Sequence, residues 1–403
     1  MKKSHLVGKK ILITHSALRL LAGSEIVVLE LAEYLQSIGM EVIVYTNFFS
    51  DPIKFFYDKK LINVVTDESE ISINNFDYVW VNHQTLPPNF LDNFNSDNGP
   101  IFIFLHMSEL IDHFLEQPYI WELEKKLSSK SLFITPVSLE NNKLIYGGRY
   151  FSQPDLYRNP APISFCRYNH TSNRDIKNIL VVSNHPPDDL TSAINILNND
   201  GINVDIMGEK GNKYTLVEPS IFKGYDAVIS IGKTVQYCLC SNTPVFIYDK
   251  FGGPGYLNKD NIKLAMDNNF SGRGFAKYSS EEIATMIVDG YKEARLYQKD
   301  NTEYFLNEFS IEKVVNNIFN NIQKTNNIDI SKKYAHYLKS TLTMMKWKFV
   351  EENRIKNIEK EMYDVKNYSD ELKHNINDIV NSKSFRIGQL IAKPYRRLIK
   401  LLR

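Results

Sequence analysis

Short apolar runs punctuate this chain, and the stretches between them carry helical spacing. In the first part the runs are Lys10 to Thr14, Met40 to Thr46, Tyr78 to Val81, Ile101 to Leu105 and Leu132 to Thr135. Each is short and rich in Val, Ile, Leu or aromatic residues, the signature of a strand buried on both faces. Between the first two, Val28, Leu31, Ala32 and Leu35 fall on one helical face, which predicts a helix from near Ser24 to Gly39. A breaker-rich linker with Pro154, Asn159, Pro160 and Pro162 follows. A second series then runs through Asn178 to Val182, Asn203 to Met207, Ala227 to Ser230 and Pro244 to Tyr248. Strands alternating with helices in both halves predict an α/β protein of two Rossmann-like, doubly wound domains facing a cleft, at 1–160 and 161–328.

Beyond them the pattern changes to a helical extension, 329–381. Ile355, Ile358, Met362, Val365, Leu372, Ile376 and Ile379 keep heptad spacing, broken at Ser369. That spacing predicts a short coiled coil or long amphipathic helix, able to pack on a partner or, as a homo-oligomer through 355–379, on itself. The last segment, 382–403, mixes seven cations and no acid with Phe385, Ile387, Leu390, Ile391 and Leu398. Such a tail suits an anionic membrane surface. It is too apolar for a solvated arm on nucleic acid, so no nucleic-acid partner is expected.

Composition narrows the class. The 403 residues are 43% hydrophobic, enough for large cores, and no apolar run reaches the roughly 18 residues that cross a bilayer. Net charge is +1, which leaves 1 − 7 = −6 for residues 1–381 once the tail is set aside. The N-terminal apolar run is too short for an export signal, and Cys166, Cys238 and Cys240 have no metal-ligand spacing. A cytoplasmic protein, peripheral on the inner face of a membrane, is the expectation.

The densest chemistry lies between Tyr225 and Phe275. It reads as strand, turn (Ile231, Gly232, Lys233, Thr234), helix (Val235 to Cys240), strand, and a Gly-rich loop from Phe251 to Gly255. A turn, a helix N-terminus and a cation at the edge of a parallel sheet favour a phosphate, so Lys233 and Thr234 are expected to face one. A P-loop does not fit, because no Gly stands five residues before Gly232. Four histidines, His15, His83, His106 and His185, each end a predicted strand, the ligand edge of a parallel sheet. Any one could be an ordinary structural donor; four together argue for a polar cleft. No metal is expected: Asp188 and Asp189 sit in a Pro-led turn and read as a helix start.

GKTVQYCLCSNTPVFIYD and the following FGGPGYLNKDN and NFSGRGFAKYSSEEIATMI resemble the donor-site segments of GT-B glycosyltransferases, in particular family 4, group 1 enzymes of bacterial surface polysaccharide synthesis. AGSEIVVLELAEYLQSIGMEVIVYT resembles that family's opening, with Ala22 for its first Gly and Met40 for its His. The resemblance implies a glycosyltransferase moving a sugar from a nucleotide-diphosphate donor to a glycan or lipid-linked acceptor, with retention and without a cofactor. It implies donor contacts at Gly23, Ser183, Asn184, His185, Gly232, Lys233, Thr234, Gln236, Gly252 and Gly253. It also implies catalytic roles for His106, beside the donor sugar, and His15 as a base; Glu109 and Asp112 would face the acceptor or be a solvated helix face.

Two departures stand out. Gln236 and Val228 occupy the positions of the family's acidic pair, and ILVVSNHPPDDL lacks its diphosphate-binding Arg and Lys. They leave open a non-catalytic GT-B protein that binds a sugar nucleotide or a partner enzyme and scaffolds a complex. A GT-B epimerase is a third reading, but it gives the basic tail no role.

Overall fold

A computed structural model describes all residues except 1–4, 93, 95–98, 109–118, 146–150, 152, 171–174, 210, 212, 326–329, 331 and 402–403, and except the side chains of 145, 332, 333, 395 and 397–401. The chain divides into two units, Met1–Lys346 and Trp347–Arg403. The first contains both sheets.

The first sheet is built from β1 (Lys10–His15), β2 (Glu41–Thr46), β3 (Asn63–Val65), β4 (Tyr78–Asn82), β5 (Ile101–His106), β6 (Ser128–Phe133) and β7 (Asp155–Leu156), in the order β3-β2-β1-β4-β5-β6-β7. Every pairing in it is parallel. Among the described residues the helices that connect these strands are α1 (Gly23–Ser37), α2 (Ile53–Lys59), α3 (Trp121–Leu127) and α4 (Pro136–Ile145). After the short α5 (Ile163–Arg167) come β8 (Asn178–Val182), α6 (Asp188–Asn199), β9 (Asn203–Met207), β10 (Ala227–Ser230), α7 (Lys233–Cys240), β11 (Val245–Asp249) and β12 (Gly252–Tyr256). The second sheet has the order β12-β11-β10-β8-β9, parallel except for β12 against β11.

Both sheets are covered on both faces, which is why their strands read as continuous apolar runs. In β1, Ile11 and Ile13 enter one core with Leu31 and Leu35 of α1, while Leu12 enters the core beneath. In β10, Val228 faces one way and Ala227 and Ile229 the other. The expectation of two doubly wound Rossmann-like domains holds.

The second sheet is followed by α8 (Ile262–Asp267), α9 (Ser280–Asp289), α10 (Tyr291–Asp300), α11 (Thr302–Phe309) and α12 (Ile311–Asn320). The chain then returns: Ile311, Val315, Ile318 and Phe319 of α12 complete the first domain's core. α13 (Lys332–Asn381) also serves that domain at its start, burying Leu338, Leu342 and Met345. The second unit comprises the rest of α13 and α14 (Lys383–Leu401), which contains Pro394.

Two elements differ from the sequence reading. β6 begins at Ser128, directly after α3, because its serines are satisfied in the interior: Ser128 Oγ lies 3.0 Å from Ser131 Oγ, and Ser129 Oγ 3.2 Å from Thr325 Oγ1. The expected Gly-rich loop is instead the edge strand β12. A Cβ at Gly252 would stand 2.2 Å from the Ala276 carbonyl oxygen, and one at Gly253 2.1 Å from that of Ile247. These glycines are required by backbone packing, and neither lines the cavity described next.

Candidate functional site

A cavity of about 1070 Å³ lies between the two sheets. The first domain contributes Gly23 and Glu30 of α1 with Lys59, Lys60 and Met107. The second contributes the carboxyl-end loops of its strands: Ser183, Asn184 and His185 after β8, Gly232 to Thr234 after β10, and Asp249 to Phe251 after β11, joined by Asn269, Ser271 and Arg273. This is the edge at which open parallel sheets hold ligands.

The turn into α7 forms as its sequence requires. Gly232 caps the helix at φ +56°, a conformation that favours glycine, although a Cβ there would meet nothing nearer than 4.0 Å. The turn residues Gly232, Lys233 and Thr234 line the cavity, while the Val235 N–H donates to the Gly232 carbonyl at 2.9 Å. Thr234 is buried and lines the cavity.

Lys233 is placed otherwise than expected. Its Nζ lies 2.6 Å from Glu30 Oε2 and donates to the carbonyl oxygens of Asn159 (3.2 Å) and Pro160 (2.5 Å). An ammonium with three protons is thus surrounded by three protein oxygens. Tyr237 donates its hydroxyl to the other oxygen of Glu30 and places its ring 5.2 Å from the ammonium. Burial pushes the Glu30 carboxyl up from its ordinary value while Lys233 and Tyr237 pull it down. The group ties α7 and the linker to α1. A second tie is the Leu21 N–H donating to the Tyr214 hydroxyl at 3.2 Å.

Gln236 is buried, with Nε2 3.5 Å from Asn269 Oδ1 and its own Oε1 unpaired. It is not among the cavity-lining residues. Asn269 does line the cavity, held at φ +49°, and accepts a hydrogen bond from Asn159 Nδ2 at 3.2 Å.

Two further cations line the cavity on the second-domain side. Arg273 stacks over the Phe251 ring at 4.5 Å and donates to Ser271 Oγ at 3.4 Å, both neutral groups. Lys250 lies 5.1 Å from the same ring. Gly272 makes this arrangement fit, since a Cβ there would come within 2.0 Å of the Gly252 oxygen and 2.4 Å of Asp249 Oδ1. The signal was present in the SGRGF segment, where a single Arg stands between glycines. Ser183 and Asn184 shape the neighbouring wall: Ser183 Oγ accepts from the His185 N–H at 3.2 Å, and Asn184 Oδ1 from the Glu209 N–H at 3.2 Å. His185 is exposed, 3.9 Å from the Glu209 carboxylate.

The other three histidines do end strands, but in the interior of the first domain. His106 Nε2 lies 3.0 Å from Glu124 Oε1, which also accepts from Ser131 Oγ at 2.7 Å. The His106 ring stacks on Phe133 at 4.7 Å, with Phe151 edge-on at 5.5 Å. His15 and His83 stand ring to ring at 4.2 Å, and Ser16 Oγ lies 2.9 Å from His83 Nδ1. His15 Nδ1 donates to the Ala17 carbonyl at 2.8 Å, leaving Nε2 as a buried lone pair without a hydrogen-bond partner. Burial lowers its pKa to about 4, so the ring is neutral at pH 7. His83 and Gln84 both adopt positive φ, at +51°. None of these three histidines is among the residues lining the cavity, and Glu109 and Asp112 lie outside the described residues.

No family model matches the chain, and no curated protein matches it. Solved structures do. A glycosyltransferase from Rickettsia africae ESF-5 is similar at 13% identity, over 77% of this chain and 96% of that one, with a TM-score of 0.52. An alpha-glucosyltransferase (AGT) in complex with UDP is similar at 12% identity, over 75% and 96%, with a TM-score of 0.50. The fold is therefore the GT-B arrangement of two Rossmann-like domains, here with a C-terminal helical extension.

Proposed function

We propose that this chain is a retaining glycosyltransferase that moves a sugar from a nucleoside-diphosphate donor to a membrane-associated, lipid-linked glycan acceptor, as in the synthesis of a bacterial surface polysaccharide. The observation that carries the reading is the cavity at the carboxyl edge of the second sheet, lined by Arg273, Lys250 and the first turn of α7. Charge that develops on a departing nucleoside diphosphate is met by preorganised donors, the arrangement that lowers such a barrier. The alpha-glucosyltransferase of similar fold is in complex with UDP, and that donor chemistry is carried over here. In this reading the diphosphate is held by side-chain cations and backbone N–H groups without a metal. His15 and His106, neither of which lines the cavity, support the interior of the first domain and do not touch the donor.

Among the described residues no helix is long and apolar enough to cross a membrane. We assign membrane association to α14, whose exposed Phe385, Ile387, Leu390 and Ile391 are interleaved with cations. Sedimentation with anionic vesicles, lost on truncation after Ile379 and weakened by salt, tests this part.

A second reading, a sugar-nucleotide-binding protein without transfer activity, is favoured by the commitment of Lys233 to Glu30 and by the burial of Gln236. Purified protein with a panel of nucleotide sugars and a lipid-linked acceptor separates the two. Transfer that survives a chelator supports the first reading; binding without hydrolysis or transfer supports the second.

A further inference from the structure

From Ile355 onward α13 carries an apolar face that is exposed. Ile355, Ile358, Met362, Val365, Leu372, Ile376 and Ile379 are between 42% and 68% exposed. A helix of this length gains little from propensity alone and draws its stability from burying such a face. Intervals of three and four residues put Ile355, Met362, Ser369 and Ile376 at heptad position a, and Ile358, Val365, Leu372 and Ile379 at d.

The flanking positions identify the occupant. Arg354 and Glu361 fall at g, Glu359 and Lys366 at the following e. In a parallel, in-register coiled coil each g residue meets the e residue five positions later on the neighbouring chain. Arg354 then faces Glu359 of a second copy, and Glu361 faces its Lys366. The next two pairs, Tyr368 with Lys373 and Asn375 with Val380, bring no like charges together. An antiparallel pair of full overlap would set Lys366 against its own counterpart, a repulsive contact.

We propose that this chain assembles with copies of itself through a parallel, in-register coiled coil over 355–379. The β-branched residues at three of the four d positions admit three strands as well as two.

The test uses the full chain. Light scattering should give two or three times 46.7 kDa. K366E, which places two glutamates at the interface, should weaken assembly at least about tenfold, and the swap E361K/K366E should restore it. Recovery by the swap excludes misfolding as the cause of the first loss. Ile355→Cys should form an inter-chain disulfide under mild oxidation, since parallel chains bring the two thiols together. An antiparallel pair would hold them about 36 Å apart along the helix. The three native cysteines are buried or half-buried and supply the background. A monomer at micromolar concentration, no effect of K366E, or no disulfide at position 355 would each overturn the proposal.

Discussion

The two sheets present the same edge to different ends. Histidines close three strands of the first sheet, yet their rings are consumed inward: His106 on Glu124 and Phe133, His83 on Ser16, His15 against His83. The second sheet ends in turns whose glycines allow close backbone approach, Gly208 against the Ser183 carbonyl and Gly272 against Asp249 and Gly252, and these loops leave a cavity in front of Arg273 and Lys250. A polar residue at the carboxyl edge of a strand is thus a site only if the chain after it leaves the edge open.

The largest expected effect lies where the two domains are tied. Lys233→Ala leaves the buried Glu30 carboxylate without its cation and should lower stability by about 3 to 5 kcal/mol, while the double change Glu30→Gln/Lys233→Met should recover much of that loss. Denaturant unfolding measures both. Equal losses in the single and double variants would mean the pair is not coupled.

His106→Ala removes a buried ring and its bond to Glu124, at a cost of about 3 kcal/mol, and should change nucleoside-diphosphate affinity by less than about twofold. Arg273→Ala should do the reverse, weakening nucleoside-diphosphate binding by about 2 kcal/mol, the scale of a charge-assisted hydrogen bond, with an unchanged melting curve. Calorimetry on the pair separates the interior edge from the open one, and an affinity loss at His106 equal to that at Arg273 would erase the distinction.

A pH-dependent effect concerns Glu25 of α1, which accepts the N–H groups of Arg19 (2.5 Å) and Leu20 (2.7 Å). Burial pushes its carboxyl up to about 7, against those donors and the Arg19 charge. A raised folded-state pKa gives stability that is fully present below the ordinary value and is lost as pH rises to about 7. Between about pH 4.5 and 7 this carboxyl therefore lowers stability with rising pH, and Glu25→Gln should remove that slope. His15, its pKa lowered by burial, contributes a slope of opposite sign as the unfolded ring protonates. Melting temperatures of the Glu25→Gln chain across that range decide the point.

Much of this fold was legible because its strands are buried on both faces, so KILIT, IFIFL and AVIS stand out as compact apolar runs between amphipathic stretches. The start of β6 was hidden because Ser128 and Ser131 satisfy each other in the interior and Ser129 is satisfied by the distant Thr325. β12 was hidden because glycine carries little strand propensity and its role is to fit between backbones. At the site, the Gly232 turn could be read locally, since its φ is a property of that residue. The partner of Lys233 could not, because Glu30 belongs to the other domain and reaches it only through the tertiary fold. Arg273 was missed for the converse reason: its flanking glycines are intelligible only once Asp249 and Gly252 are seen packed against Gly272.

The claim that the open edge of the second sheet is the donor site is tested most directly by amide hydrogen exchange with and without saturating nucleoside diphosphate, drawn from a panel of bases. Added protection is expected at 183–185, 232–235 and 271–273, with the amides around His15, His83 and His106 unchanged. Protection confined to the first sheet's histidine edge, or no protection with any nucleoside diphosphate, would contradict it.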